Sequence, residues 1–168
     1  MTSPEDLRPK LVVNPGLSIE KTQVPSPEVN RYFYTAVGRD WHWEDRLSWN
    51  FLQWQEWVGR PELATWVAFI SGNAAGYFEL ESQPEGDLEI TSFGLLPNYI
   101  GQGLGAHLLT VAVKEAWEIG AERVWLHTCS LDHPRALPNY LARGFKVFQE
   151  TTISQEVLEL EIGLPEDD

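Results

Sequence analysis

The stretch "LLPNYIGQGLGAHLL", residues 95–109, ends an apolar run in a proline and sets three glycines within five positions, just ahead of a helical pattern. Glycine enters left-handed backbone freely, so the chain either turns sharply here or brings its backbone close to a ligand. N–H groups at such a turn can face an anion, and a helix N-terminus adds about half a positive charge. Both readings stand at this point: a turn that needs glycine for geometry, and a phosphate cradle. Gly101, Gly103 and Ala106 also satisfy the relaxed dinucleotide pattern G-x-G-x-x-A. That pattern belongs after a first parallel strand, with an acidic residue about 20 positions on and a second half-sheet following. Here several strand-like runs precede the turn, and too little chain follows it.

The order of those runs sets the fold expectation. "LSIEKTQ" (17–23) reads as a strand and "PSPEVNRYFYTAVG" (25–38) as a helix. "DWHWEDRLSWNFLQWQEWVG" (40–59) reads as one helix with Asp40 as N-cap and a core stripe of Leu47, Phe51, Trp54 and Val58. "ATWVAFISG", "AAGYFELESQ" and "LEITSFGLL" follow at hairpin spacing, too short for crossovers, and suggest an antiparallel meander. Gly103–Ile119 keeps helical apolar spacing, with His107, Thr110, Lys114 and Glu118 on its polar face. "RVWLHTCS" (123–130) is then a strand, "HPRALPNYLARGF" a short helix with Pro138 in its first turn, and "FKVFQE" and "ISQEVLELEI" the last strands. The expectation is an α+β domain with a mixed, mostly antiparallel sheet of six to seven strands and about four helices. It occupies residues 17–160, with a flexible proline-broken lead-in at 1–16 and an acidic tail at 161–168.

Charge narrows the partners. Lys and Arg total 12 against 25 Asp and Glu, and the net charge of −13 repels phosphate backbones and anionic membranes. No nucleic-acid or membrane partner is expected, and an anionic ligand must be held by local devices. Cys129 is the only cysteine, which leaves no intrachain disulfide and no thiol cluster for zinc. The four histidines, at 42, 107, 127 and 133, lack ligand spacing, so no metal is expected. The N-terminus lacks signal-peptide order and no apolar stretch reaches the ~20 residues of a membrane span, so a cytoplasmic protein is expected.

With the glycine turn behind a meander, the sequence resembles the GNAT superfamily of acyl-CoA-dependent N-acetyltransferases from about Leu17 to Leu160. The family signature of Arg or Gln, two residues, Gly, one residue, then Gly or Ala falls on Ile100-Gly101-Gln102-Gly103-Leu104-Gly105. It follows the strand-end "hydrophobic-x-Pro" at Leu95-Leu96-Pro97. Ile100 replaces the side-chain donor, so the resemblance implies that acetyl-CoA's pyrophosphate is held by backbone N–H groups between Gly101 and Ala106, with Gln102 alongside. A second signature, Asn, two residues, Ala, three residues, then Tyr-x-x-x-Gly-Phe, aligns with His133, Ala136, Tyr140, Gly144 and Phe145, with His133 in the Asn position.

The resemblance implies direct transfer of an acetyl group from acetyl-CoA to an amine, with Tyr140 protonating the departing thiolate. Glu89 stands at the family's position for a general base, acting directly or through water; the alternative base position is Thr128 here. Carboxylate repulsion from Glu79 or Glu81 would favour that role if either shares its sheet face. Cys129 is expected as a buried packing residue rather than a nucleophile. Five of the eight tryptophans lie in residues 41–57, on the family's acceptor side. Trp41, His42 and Trp43 therefore form either an aromatic wall for a small-molecule or peptide amine, through cation–π attraction, or packing and homodimer contact. A non-catalytic acyl-CoA-binding sensor on the same fold is the rival reading.

Overall fold

The structure, a computed structural model, describes residues 1–152. The elements are β1 (Leu17–Lys21), α1 (Pro27–Gly38), α2 (Phe51–Val58), β2 (Leu63–Ile70), β3 (Asn73–Ser82), β4 (Asp87–Leu95), α3 (Leu104–Ile119), β5 (Arg123–Trp125) and α4 (Ala136–Ala142). Strands β1 to β4 form an antiparallel meander, and β5 joins β4 in parallel, giving the order β1-β2-β3-β4-β5.

Alternation along the strands builds two cores. Trp66, Ala68, Phe78, Leu80, Leu88 and Ile90 face α3, which buries Leu108, Leu109, Ala112, Val113 and Ala116 against them, with Tyr140 and Phe145 closing the layer. On the other face Val67 and Tyr77 meet Phe33 and Val37 of α1. A bulge interrupts the β3–β4 ladder: Leu80 pairs with Ile90 and Glu79 with Ser92, leaving Thr91 as the extra residue. One added residue reverses the side-chain phase and bends the strand. Phe93 consequently returns to the α4 side, where its ring meets Tyr140 edge-on at 6.1 Å.

Several expectations need correction. Among the described residues the sheet has five strands rather than six to seven. Residues 145–150 form no strand, and Val147 and Phe148 are exposed. A strand needs a hydrogen-bonding neighbour, and Met1 takes both backbone groups of Val124 in β5, donating its ammonium to the carbonyl and accepting the N–H. The expected strand at 153–162 and the tail at 161–168 lie outside the described residues.

The helix expected over 40–59 is only Phe51–Val58, because Asn50 and Gln53 cap each other reciprocally, at 3.0 and 2.9 Å, and start it there. Residues 40–49 form turns with His42 in the left-handed region, and Leu47 and Phe51 are half exposed instead of lining the core. The lead-in is tied down: Lys10 N–H donates to Thr110 Oγ1 and Val12 N–H to His107 Nδ1, each at 3.0 Å. Thr110, expected on an outward polar face, is fully buried beneath it. Cys129 is exposed rather than packed inside.

Candidate active site

The parallel pairing of β4 and β5 covers only Asp87–Glu89 against Arg123–Trp125. Beyond it the Thr91 bulge turns β4 away and the chain after Trp125 leaves the sheet, which is why the strand expected at 123–130 stops at Trp125. A cleft of about 790 Å³ opens between them, lined by Ile90–Leu95 on one side and Leu126–Cys129 on the other. The outer edge of β4 therefore presents unpaired backbone N–H and C=O groups to the cleft.

At one end of the cleft stands the glycine turn. Gly101 (φ 86°) and Gly103 (φ 79°) are left-handed, and Gly103 caps α3 with no side-chain bond to its first N–H groups. Those orphan donors, with the helix dipole behind them, make an anion seat. Leu95, Ile100, Gly101, Gly103, Gly105 and Ala106 line the cleft there. Leu96, Pro97, Gln102 and Leu104 do not: Leu104 is buried, and the Gln102 amide is turned back onto the Asn98 carbonyl at 2.9 Å. Asn139 Nδ2 donates to the Gly105 carbonyl at 3.2 Å, tying α4 to this turn.

Tyr140 and His133 line the cleft from α4 and the loop before it. Tyr140 is buried, and burial first, then the charge of Asp132, pushes its phenol well above the ordinary tyrosine range. Its hydroxyl has no hydrogen-bond partner among the described residues. His133 packs edge-on against Trp41 at 4.7 Å, and its Nδ1 accepts the Arg135 N–H at 3.0 Å. Trp41, His42 and Trp43 line the same cleft.

The other tryptophans serve a different purpose. Glu79, Glu81 and Glu89 share the α1 face of the sheet, and Glu81 lies directly opposite Glu89. Each carboxylate has its own partner. Glu79, with no exposure at all, accepts from Asn30 Nδ2 (2.7 Å), Arg46 Nη1 (3.2 Å), Trp57 Nε1 (3.2 Å) and Thr91 Oγ1 (3.3 Å). Glu81 pairs with Arg60 at 2.5 Å. Arg46 lies over Trp57 at 3.8 Å and Arg60 over the same ring at 4.1 Å, so this part of the tryptophan cluster holds the protein's own guanidinium groups.

Glu89 meets His127, whose Nδ1 lies 2.8 Å from its Oε1. Glu89 is 7% exposed and does not line the cleft, whereas His127 does. The hydrogen bond to Glu89 raises the imidazole pKa against the opposing effect of burial, with smaller contributions from the charges of Glu89, Asp132 and Asp45. Sequence reading missed this pair because the β4–β5 register, which sets Glu89 beside Trp125 and so within reach of His127, is not written in either strand alone. It also missed Lys10, Arg46, Arg135 and Arg143, which gather at the cleft from the lead-in, the 40–49 turns and the two ends of α4. No group of three or more His, Cys, Asp and Glu side chains that could hold a metal is found among the described residues, nor any helix long and apolar enough to cross a membrane.

Residues 28–145 match the family described as "Acetyltransferase (GNAT) family". Uncharacterized N-acetyltransferases of Mycobacterium tuberculosis and Mycobacterium bovis are 34% identical over 92 residues, which is 55% of this chain and 58% of theirs. The chain thus spans a little over half the length of these curated relatives. Among solved structures, an aminoglycoside acetyltransferase from an uncultured soil metagenomic sample, in complex with trehalose, has a TM-score of 0.67 at 16% identity, covering 83% of this chain and 94% of that one. A transcriptional regulator from Bacillus halodurans has a TM-score of 0.64 at 20% identity, covering 83% and 99%. AAC(6')-Iy in complex with a CoA bisubstrate analog has 0.61 at 17%, covering 83% and 97%. At these identities the likeness is one of fold.

Proposed function

Because the chain belongs to the acetyltransferase (GNAT) family, we propose that it moves an acetyl group from acetyl-CoA to the nitrogen of a small-molecule or peptide amine, directly, with both substrates bound. The observation that carries this reading is the convergence, on one cleft, of the glycine turn, the unpaired edge of β4 and the Tyr140 hydroxyl. Acetyl-CoA would supply the activated acyl group and its leaving thiolate.

The residues present fit such a ligand. Backbone N–H groups from Gly101 to Ala106 would hold the pyrophosphate, and the free edge of β4 up to Leu95 would take the amide-bearing arm. Lys10, Arg135 and Arg143 add cations to the same cleft, and the buried Arg143 Nε has no partner among the described residues. This sharpens the expectation from the acidic composition: the backbone cradle is joined by lysine and arginine side chains.

Tyr140 keeps its proton at all ordinary pH, so it can donate to sulfur as the carbon–sulfur bond breaks. The burial that raises the phenol also disfavours a thiolate in the same place, which favours protonation of the sulfur as it departs. Free β4 N–H groups can meet the carbonyl oxygen as charge develops on it. The amine proton leaves toward the Glu89–His127 pair, of which His127 lines the cleft. Ile100, which lines the cleft with no donor, favours one rival, a CoA-binding module without turnover.

The two readings separate by measuring acetyl-CoA affinity and thiol release against a panel of polyamines, aminoglycosides and basic peptides. Transfer predicts that Tyr140→Phe lowers turnover at least tenfold, about 1.4 kcal/mol of barrier, with acetyl-CoA affinity kept. Tight acetyl-CoA binding with no thiol release from any amine would instead establish the binding module.

A further inference from the structure

Resting on the acetyl-transfer reading, we infer that the acceptor amine gives its proton to Nε2 of His127, and that Glu89 is the positioning residue that holds the imidazole rather than the base itself. The hydrogen-bond chain behind His127 fixes every orientation in it. Trp125 Nε1, a group that only donates, bonds to Gln83 Oε1 at 2.9 Å. The other end of that amide, Nε2, then donates to Glu89 Oε2 at 2.8 Å. Glu89 is thus an acceptor at one oxygen, and as a carboxylate its other oxygen, 2.8 Å from His127 Nδ1, accepts a hydrogen bond from the ring's Nδ1–H. A neutral imidazole with hydrogen on Nδ1 carries its lone pair on Nε2.

Accessibility separates the two residues in the same direction. The Glu89 side chain is 10% exposed with both oxygens engaged, while that of His127 is 73% exposed and lines the cleft. The ionisable groups that act on the ring are Glu89 from β4, Asp132 from the loop before α4 and Asp45 from the loop before α2, and all three are acidic. They favour the imidazolium that forms when the base acts.

The step balances. An amine N–H bond breaks as an Nε2–H bond forms, and the electron pair stays on nitrogen in its new bond to the acetyl carbon. The carbon–sulfur bond breaks with its pair on sulfur, which takes the Tyr140 proton. The imidazolium proton passes through water to the phenolate and restores both groups, so that amine and thioester become amide and thiol.

The dyad is tested on the full chain by two readouts. The His127 Cε1–H resonance is titrated by NMR without substrate, and kcat/KM for thiol release is followed against pH with the best amine of the panel. The acid limb of the wild-type profile is expected to coincide with the NMR titration, and both are expected to move to lower pH in Glu89→Gln. His127→Asn keeps a donor for Glu89 but has no base, and should lower kcat about a hundredfold or more with KM for acetyl-CoA within threefold. A His127→Asn variant within threefold of wild-type kcat, or a rate limb that stays while the resonance moves, overturns the assignment and leaves acetyl transfer standing. A wild type that releases no thiol overturns both.

Discussion

Gly103 and Gly105 sit two positions apart on one turn and answer to different constraints. Gly103 holds φ 79°, a conformation that disfavours L side chains by roughly 1–2 kcal/mol. Gly105 is already in the helix, and a Cβ there would meet Asn139 Nδ2 and Leu95 Cδ1 only at ordinary contact distances of 3.8 and 3.9 Å. Gly103→Ala should therefore lower unfolding free energy by about 1 kcal/mol. Gly105→Ala should raise it by up to about 1 kcal/mol from helix propensity, while its methyl, placed on the cleft wall, weakens acetyl-CoA binding. Denaturant titration and calorimetry on the two variants check this pair: stability and affinity should fall together in the first and part in the second.

At the scale of elements, the turns between α1 and α2 are fastened to the sheet by one buried carboxylate. Glu79 gathers donors from α1, the 40–49 turns, α2 and β4. Removing its charge leaves the Arg46 guanidinium, 14% exposed, without its counter-ion. Glu79→Gln should cost about 3–5 kcal/mol in denaturant unfolding, far more than an exposed glutamate. This fastening was not legible in the sequence, where Glu79 is one of several acidic residues in an alternating strand. What was legible was whatever a local rule governs: the meander spacing, the α3 stripe between Gly103 and Gly120, and the glycine turn with Tyr140 on a short helix behind it. What failed depended on a competing local signal or on distant pairing. The Asn50–Gln53 box overrode the longer periodicity before α2, and the amino-terminal edge contact left residues 145–150 without a strand neighbour.

For the whole molecule, protonation of His127 pulls stability and activity apart. Its folded pKa lies above the ordinary 6.5, chiefly through the Glu89 hydrogen bond. Protonation therefore stabilises the fold fully below pH 6.5, and that contribution fades as pH rises through the folded value. A base must be neutral, so turnover rises over the same interval. Tyr140, held protonated by burial, should add no alkaline limb up to about pH 10. The expected outcome is a rate profile with one rising limb, matched by a falling difference in Tm between wild type and His127→Asn across that limb, read by pH-rate and thermal-melt series.

The irregularity at Thr91 gives these properties a common origin. Taking that one residue out of β4 would let the strand run straight, with Ser92 still opposite Glu79 and Phe93 opposite Phe78, and would remove the bend that parts β4 from the chain beyond Trp125. The result would be a straighter β4 with less of the opening it now frames with residues 126–129. The flaw in the weave is the doorway.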